Sequence, residues 1–117
     1  MSKIERKVIN WLGNEVDFEN QLCIGDGWKP LVRKLYDDLV ACGWDRELRQ
    51  CKEKYGGLRF YIGSATDEQW ELIRDAEEAS LHTCEFCGEA GSLRVSYGWY
   101  FTACDEHASG RDKVESE

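Results

Sequence analysis

Apolar positions recur along this chain with two different periods, and the changes of period mark its elements. Ile4, Val8, Trp11 and Leu12 fall at helical spacing. Ser2 and Glu5 before them fit a capping box, and Gly13 ends the run. The expectation for this opening stretch is a helix, followed by an acidic loop over 14–20. Gly25-Asp26-Gly27-Trp28 reads as a turn. Pro30 suits the first turn of another helix, where its missing N–H does no harm. Leu31, Leu35 and Leu39, with Val32, Tyr36 and Val40 beside them, give that helix an apolar face, and Gly43 closes it.

Over 46–62 the period becomes two. Leu58, Phe60 and Ile62 alternate with Arg59 and Tyr61. On the preceding run Arg49, Cys51 and Glu53 alternate with Leu48, Gln50 and Lys52. Tyr55-Gly56-Gly57 lies between, so the pattern predicts a β-hairpin around a Gly-Gly turn. Thr66 and Gln69 then form a second capping box, and Asp67 and Glu68 put negative charge where a helix dipole favours it. Trp70, Ile73, Ala76 and Leu81 make one stripe of this helix; Glu71, Asp75 and Glu78 make the other. A second hairpin is predicted over 93–97 and 99–103, turning at Gly98. The polar stretch 109–117 reads as a flexible, frayed tail. The fold class expected is α+β: helices with a short antiparallel sheet over 1–82, and a zinc-ribbon module over 83–108 packed on it.

The chain has 117 residues, 42% of them hydrophobic and 12% aromatic, with a single proline, which supports one packed domain and argues against disorder. No run approaches the roughly 18 apolar residues of a membrane span. The first residues lack the continuous apolar stretch of a signal peptide, so a cytoplasmic location is expected. There the six cysteines stay reduced, and the paired ones read as metal ligands, not as a disulfide framework.

Cys84-Glu85-Phe86-Cys87-Gly88 and Cys104-Asp105-Glu106-His107 carry the strongest chemical signal. Each pair is spaced by two residues, which turns both side chains of a tight loop toward one ion. The stretch between the pairs suits a hairpin that brings them together. Cys84, Cys87, Cys104 and His107 are therefore the expected ligands of one structural zinc ion per chain. His82 could replace His107 as fourth ligand, or lie at a helix C-terminus near the dipole. Cys23, Cys42 and Cys51 have no paired spacing and read as small buried residues.

Catalysis is not expected. His-x-Glu with Pro-Cys-x-x-Cys is missing, as are His-Glu-x-x-His, Gly-x-Ser-x-Gly and a phosphate-binding glycine loop. Gly25-Asp26-Gly27 is too short to stand for one. Four protein ligands also close a zinc site against water.

The formal net charge is -8, which disfavours a sequence-nonspecific nucleic-acid binder. Charge is uneven, however. Over 67–89, eight acids stand against one arginine, a surface for a basic partner or only a solvated helix face. Glu71, Asp75 and Glu78, with Trp28 or Trp44 exposed at turns, are the candidate contacts to a protein partner. Over 46–59, five cations stand against two carboxylates, with tyrosines interleaved. Arg49, Lys52, Arg59 and Tyr61 are the candidates for an alternative reading as a nucleic-acid-binding zinc ribbon. The blander reading is a solvated sheet face paired with the acidic helix.

The run Lys54-Tyr55-Gly56-Gly57-Leu58-Arg59-Phe60-Tyr61, the acidic helix, the Cys-x-x-Cys-Gly loop, Gly98-Trp99 and the Cys-x-x-His end together resemble a family of small uncharacterised proteins of bacteria and their phages. The resemblance spans about 25–107. It implies a treble-clef or ribbon-like zinc module after an α+β segment, and no established activity. A phage origin would imply a small acidic regulator or inhibitor of a host protein, such as a defence protein.

Overall fold

A computed structural model describes residues 5–108 and 112–113. It is α+β, with three α-helices and short, mainly antiparallel sheets. None of its described helices is long and apolar enough to cross a membrane.

The chain opens on a hairpin, not on the expected helix. Strands β1 (Lys7–Ile9) and β2 (Glu15–Asp17) pair antiparallel with Val8 opposite Val16. Ser2 and Ile4 lie outside the described residues. Asn10 is the reason for the change. Its side-chain oxygen accepts the N–H groups of Leu12 and Asn14, so the chain turns where a helix would continue. Neighbours also claim the backbone. Ile9 N–H donates to the Arg46 carbonyl at 2.7 Å, and the Tyr36 hydroxyl exchanges bonds with both backbone groups of Lys7. Trp11 and Leu12, expected on a buried stripe, are 78% and 61% exposed. The acidic stretch after the turn is β2 and a 3₁₀ turn, Phe18–Gln21, whose phenyl ring is buried.

β3 (Leu22–Cys23) runs parallel to β4 (Leu48–Lys54), and β4 pairs antiparallel with β5 (Gly57–Ile62). The β4–β5 turn is centred on Tyr55-Gly56, both with positive φ, not on Gly56-Gly57. A register shift between Leu48 and Gln50 lets Leu48 and Cys51 both face the core, where strict alternation would separate them. Helix α1 (Lys29–Ala41) begins with Pro30 in its first turn and buries Val32, Leu35, Tyr36 and Leu39. Val40 stays largely exposed. Helix α2 (Asp67–Ser80) has the Thr66–Gln69 capping box in both directions and buries Ile73 and Ala76, while Trp70 is 45% exposed.

α2 also closes the free edge of β5. The N–H groups of Leu58 and Phe60 point away from β4 and donate to Ser80 Oγ and a Glu77 carboxylate oxygen, at 2.9 and 3.0 Å. An open strand edge would offer those donors to another chain. Phe18, Tyr36, Trp44 and Phe60 fill the centre of this core with ring centroids 5.0 to 6.2 Å apart.

The remaining elements form a smaller layer. β6 (Ser92–Ser96) and β7 (Trp99–Ala103) make the second hairpin, turning at Tyr97-Gly98, and β8 (Asp112–Lys113) adds to the other edge of β6. β8 lies within the stretch expected as a tail; 109–111 and 114–117 lie outside the described residues. Helix α3 (Asp105–Ala108) follows β7 directly.

Candidate metal centre

The four residues marked by spacing converge. Cys84 and Cys87 lie on the loop bracketed by the Thr83–Ala90 bridge, Cys104 follows β7, and His107 belongs to α3. Taking one sulfur or ring nitrogen from each, all four atoms lie within 4.8 Å of one another, so the group could hold a metal ion. Cys84 Sγ is 3.6 Å from His107 Nδ1, and Cys104 Sγ is 3.1 Å from the same nitrogen. Cys87 Sγ is 3.8 Å from Cys104 Sγ. Cys84 is fully buried, whereas Cys87 and His107 are exposed.

Local bonding explains the convergence. Cys84 N–H donates to the Glu89 carbonyl and Gly88 N–H to the Cys84 carbonyl, which folds the first pair into a tight loop. Glu85 N–H donates to the Thr102 carbonyl at 3.0 Å and ties that loop to β7. The β6–β7 ladder then delivers Cys104 beside it. Ala108 N–H bonds the Cys104 carbonyl at 2.9 Å, so the first turn of α3 holds His107 over Cys104. Arg94, almost fully buried, braces the corner: Nε donates to the Ala103 carbonyl at 2.9 Å, and Nη2 reaches Asp105 at 2.7 Å. The Phe86 ring lies 5.8 Å from the His107 ring.

The loop is seated on the larger core through Gly25-Asp26-Gly27. Gly27 N–H donates to the Glu85 carbonyl at 2.7 Å, and Gly25 N–H to the Glu85 carboxylate at 2.9 Å. A Cβ on Gly27 would stand 2.2 Å from the Cys84 carbonyl oxygen and 2.5 Å from Gly88 N, so only glycine lets the two backbones meet. Trp28 Nε1 donates to the Thr83 carbonyl at 2.7 Å, and Thr102 Oγ1 to the Gly56 carbonyl at 2.6 Å. The turn that is uninformative in sequence is thus the seat of the candidate site.

Electrostatics favour an ionised sulfur. Burial alone would raise the Cys84 thiol, but N–H groups of Cys104, Cys87 and Phe86 and the Cys87 thiol aim at it and pull it down to about 6. The Cys87 thiol, drawn down by the Glu89 N–H, is pushed up to about 11 by desolvation and by the Cys84 and Cys104 sulfurs. His107 is raised by the hydrogen bond with Cys104. Desolvation raises the Glu85 carboxyl against the bond from Gly25.

The other candidates fall elsewhere. His82 is exposed at the end of α2, with Nε2 3.5 Å from Glu78, and is not part of the group. Cys51 is buried, and burial pushes its thiol up to about 12, whereas Cys23 and Cys42 are exposed, contrary to expectation. Both lie at edges of the core, Cys23 at the end of β3 and Cys42 just past α1. Glu71, Asp75 and Glu78 are exposed on α2. Trp28 and Trp44 are not exposed contacts: they are 0% and 5% accessible, because the turns that carry them face the core. Arg49 pairs with Glu47 and Arg46 with Glu15, and among the described residues no cation of the hairpin makes an ion pair with an acid of α2. Lys52 and Arg59 oppose each other across β4–β5, and Tyr61 is 39% exposed.

Sequence reasoning missed Arg94, the glycine seat and the exposed rings of Tyr97 and Trp99. A signal for Tyr97 was present: Tyr-Gly occurs at both hairpin turns. No protein-family model, curated protein or solved structure matches the chain.

Proposed function

We propose that this chain is a small, non-catalytic binding protein whose C-terminal half is built on one structural zinc ion. The convergence of Cys84, Cys87, Cys104 and His107 carries the reading. A zinc ion with sulfur at about 2.3 Å and nitrogen at about 2.0–2.1 Å has tetrahedral edges of about 3.8 Å between sulfurs and about 3.6 Å between sulfur and nitrogen. The separations of 3.8 and 3.6 Å fall on those edges, and 3.1 Å lies somewhat inside them. Three thiolates and one imidazole suit zinc among the divalent metals. Four protein ligands leave no position for a reactive water, so the ion would hold the fold.

A protein partner fits the acidic face of α2. Glu71 and Asp75 are exposed, and among the described residues neither has an ion pair. A basic surface on another protein would meet them with complementary charge. In its sharper form, resting on the family resemblance, the chain regulates or inhibits a host protein in a phage-infected cell by occupying a basic site.

Native mass spectrometry of protein purified without chelator, coupled to affinity capture from host lysate, tests both parts. One zinc per chain is expected. The triple change Glu71→Lys, Asp75→Lys and Glu78→Lys should keep the zinc and the melting temperature and lose the captured partner. A protein without metal overturns the zinc reading; capture unaffected by the triple change overturns the role of α2.

A further inference from the structure

In a chain with 23 acidic and 15 basic residues, a cation without a carboxylate neighbour stands out. Eight described lysines and arginines each sit within ion-pair distance of an Asp or Glu. Apart from Arg74 on α2, the cations with described side chains and no such partner are Lys52, Lys54 and Arg59. All three belong to one face of the β4–β5 hairpin: Lys52 lies opposite Arg59, and Lys54 is two residues along the same strand.

Beside that face opens a cleft of about 610 Å³. Lys52, Lys54 and Tyr55 line one side, and Tyr97, Trp99 and Tyr100 of the β6–β7 hairpin line the other. The rings are bare. Tyr97 is fully exposed, Trp99 is 78% exposed, and Tyr55 is 71% exposed. Two carboxylates also line the cleft, but each has an oxygen bound by a backbone N–H: Glu53 by Gly56 and Glu85 by Gly25.

The tyrosines sit in an unusual conformation. Tyr55 and Tyr97 have φ of 53° and 51°, at turn positions where Asn or Gly is the easier choice. Both hairpins thus hold a ring at the tip against local preference, and both rings face one cleft. Strain of this kind, held in place at a site, points to use of the side chain.

We propose that this cleft binds single-stranded nucleic acid. Bases would stack on Tyr97, Trp99 and Tyr100, and phosphates would lie along Lys52, Lys54 and Arg59. Exposed aromatic faces beside cations that lack a carboxylate partner match a strand that offers base faces and phosphates together. An acidic peptide would use the cations and leave the rings without a role. The net charge of -8 disfavours a duplex, with its denser phosphates and stacked, inaccessible bases. This site lies apart from the acidic face of α2; it shares with the zinc reading only the hairpin that the cluster supports.

The test uses the full chain, with metal content measured on each sample. Fluorescence anisotropy compares labelled oligo-dT, oligo-U, a duplex and poly-glutamate at about 50 and about 200 mM salt. Expected is salt-sensitive binding to a single strand, with the DNA and RNA arms showing which is preferred. Trp99→Ala should weaken it at least about tenfold. Tyr97→Asn removes a ring while suiting the left-handed turn, so it tests the cleft in a protein that keeps its fold; it should weaken binding several-fold. Lys52→Ala with Lys54→Ala and Arg59→Ala should weaken it and flatten the salt dependence. Absence of single-strand binding overturns the proposal, whatever the metal content. So does single-strand binding indifferent to both ring changes, or tighter binding of poly-glutamate or duplex. The metal content alone judges the zinc reading.

Discussion

The two layers of this molecule are held together by different physics. The larger one buries 15 apolar residues in one cluster, including Trp28, Phe18, Phe60 and Leu39. Among the described residues, the apolar cluster of the smaller one is just Cys84, Ala103 and Ala108, with Phe101 and Cys104 partly covered. At about 25 cal/mol per Å² of buried apolar surface, side chains of that size contribute little. The first layer can fold by excluding water, whereas the second, on the zinc reading proposed above, is held by the ion's ligands and by its seat on the first. This difference also accounts for the position of Gly27: where side chains are few, layers join through backbone contact.

The sharpest way to break the comparison is to withhold the zinc proposed above. Chelation, or Cys84→Ser, should unfold the smaller layer and leave the larger one standing, since a structural zinc contributes on the order of 10 kcal/mol to such modules. Amide hydrogen exchange can report the two layers separately. Protection should vanish over β6 and β7 and persist over α1 and β4. Equal protection in both layers without metal would remove the distinction drawn between them.

The reciprocal experiment acts on the larger layer. Phe60 is fully buried against Phe18 and Trp44. Phe60→Ala should cost about 3–5 kcal/mol in urea unfolding, the range for a large ring removed from a packed core. Because the smaller layer is seated on this core, it should unfold in the same transition. Gly27→Ala acts on the seam itself. Its added methyl would meet the Cys84 carbonyl and Gly88 N, and a loss of about 1–3 kcal/mol is expected, as for other overpacked sites. Gly57→Ala is the control for substituting a glycine, since its φ is not left-handed and its added methyl would come nearest the flexible end of Leu81, at 3.2 Å. If the two changes cost the same, the seam contact is not what Gly27 provides.

The seam also shows where sequence reading stops. The α1 face, the Thr66–Gln69 box of α2 and the gathering of Cys84, Cys87, Cys104 and His107 were legible, because each depends on spacing within a short stretch. The opening hairpin was not. Val8 and Trp11 fit a helical stripe, and what overrides it is Asn10 turning the chain together with the Arg46 carbonyl and the Tyr36 hydroxyl, which are distant in sequence and take up the backbone of residues 7–9. Trp28 and Trp44 were misread for the same reason. A turn position says nothing of which way the ring faces, and Trp28 is directed by the Thr83 carbonyl, 55 residues away. Arg46 finds its carboxylate in Glu15, across the molecule from the hairpin, so composition alone could not separate it from the cations of β4–β5 that lack one.

The smallest effect expected belongs to the larger layer alone. Arg33 grips the Glu19 carboxylate with two donors, at 3.0 and 2.7 Å, and holds its pKa below the ordinary value of 4.5. A carboxyl lowered on folding adds stability that is fully present above its unfolded pKa and is lost as pH falls through the lower, folded one. Both side chains are 38% exposed, so solvent screens the pair, and it is worth under about 1 kcal/mol. Glu19→Gln should therefore lower urea stability slightly at neutral pH. The gap to the parent should shrink only as the pH drops below about 4.5, where the parent carboxylate itself takes up a proton. A gap constant down to strong acid would mean that the pair acts through packing of the arginine stem and not through charge.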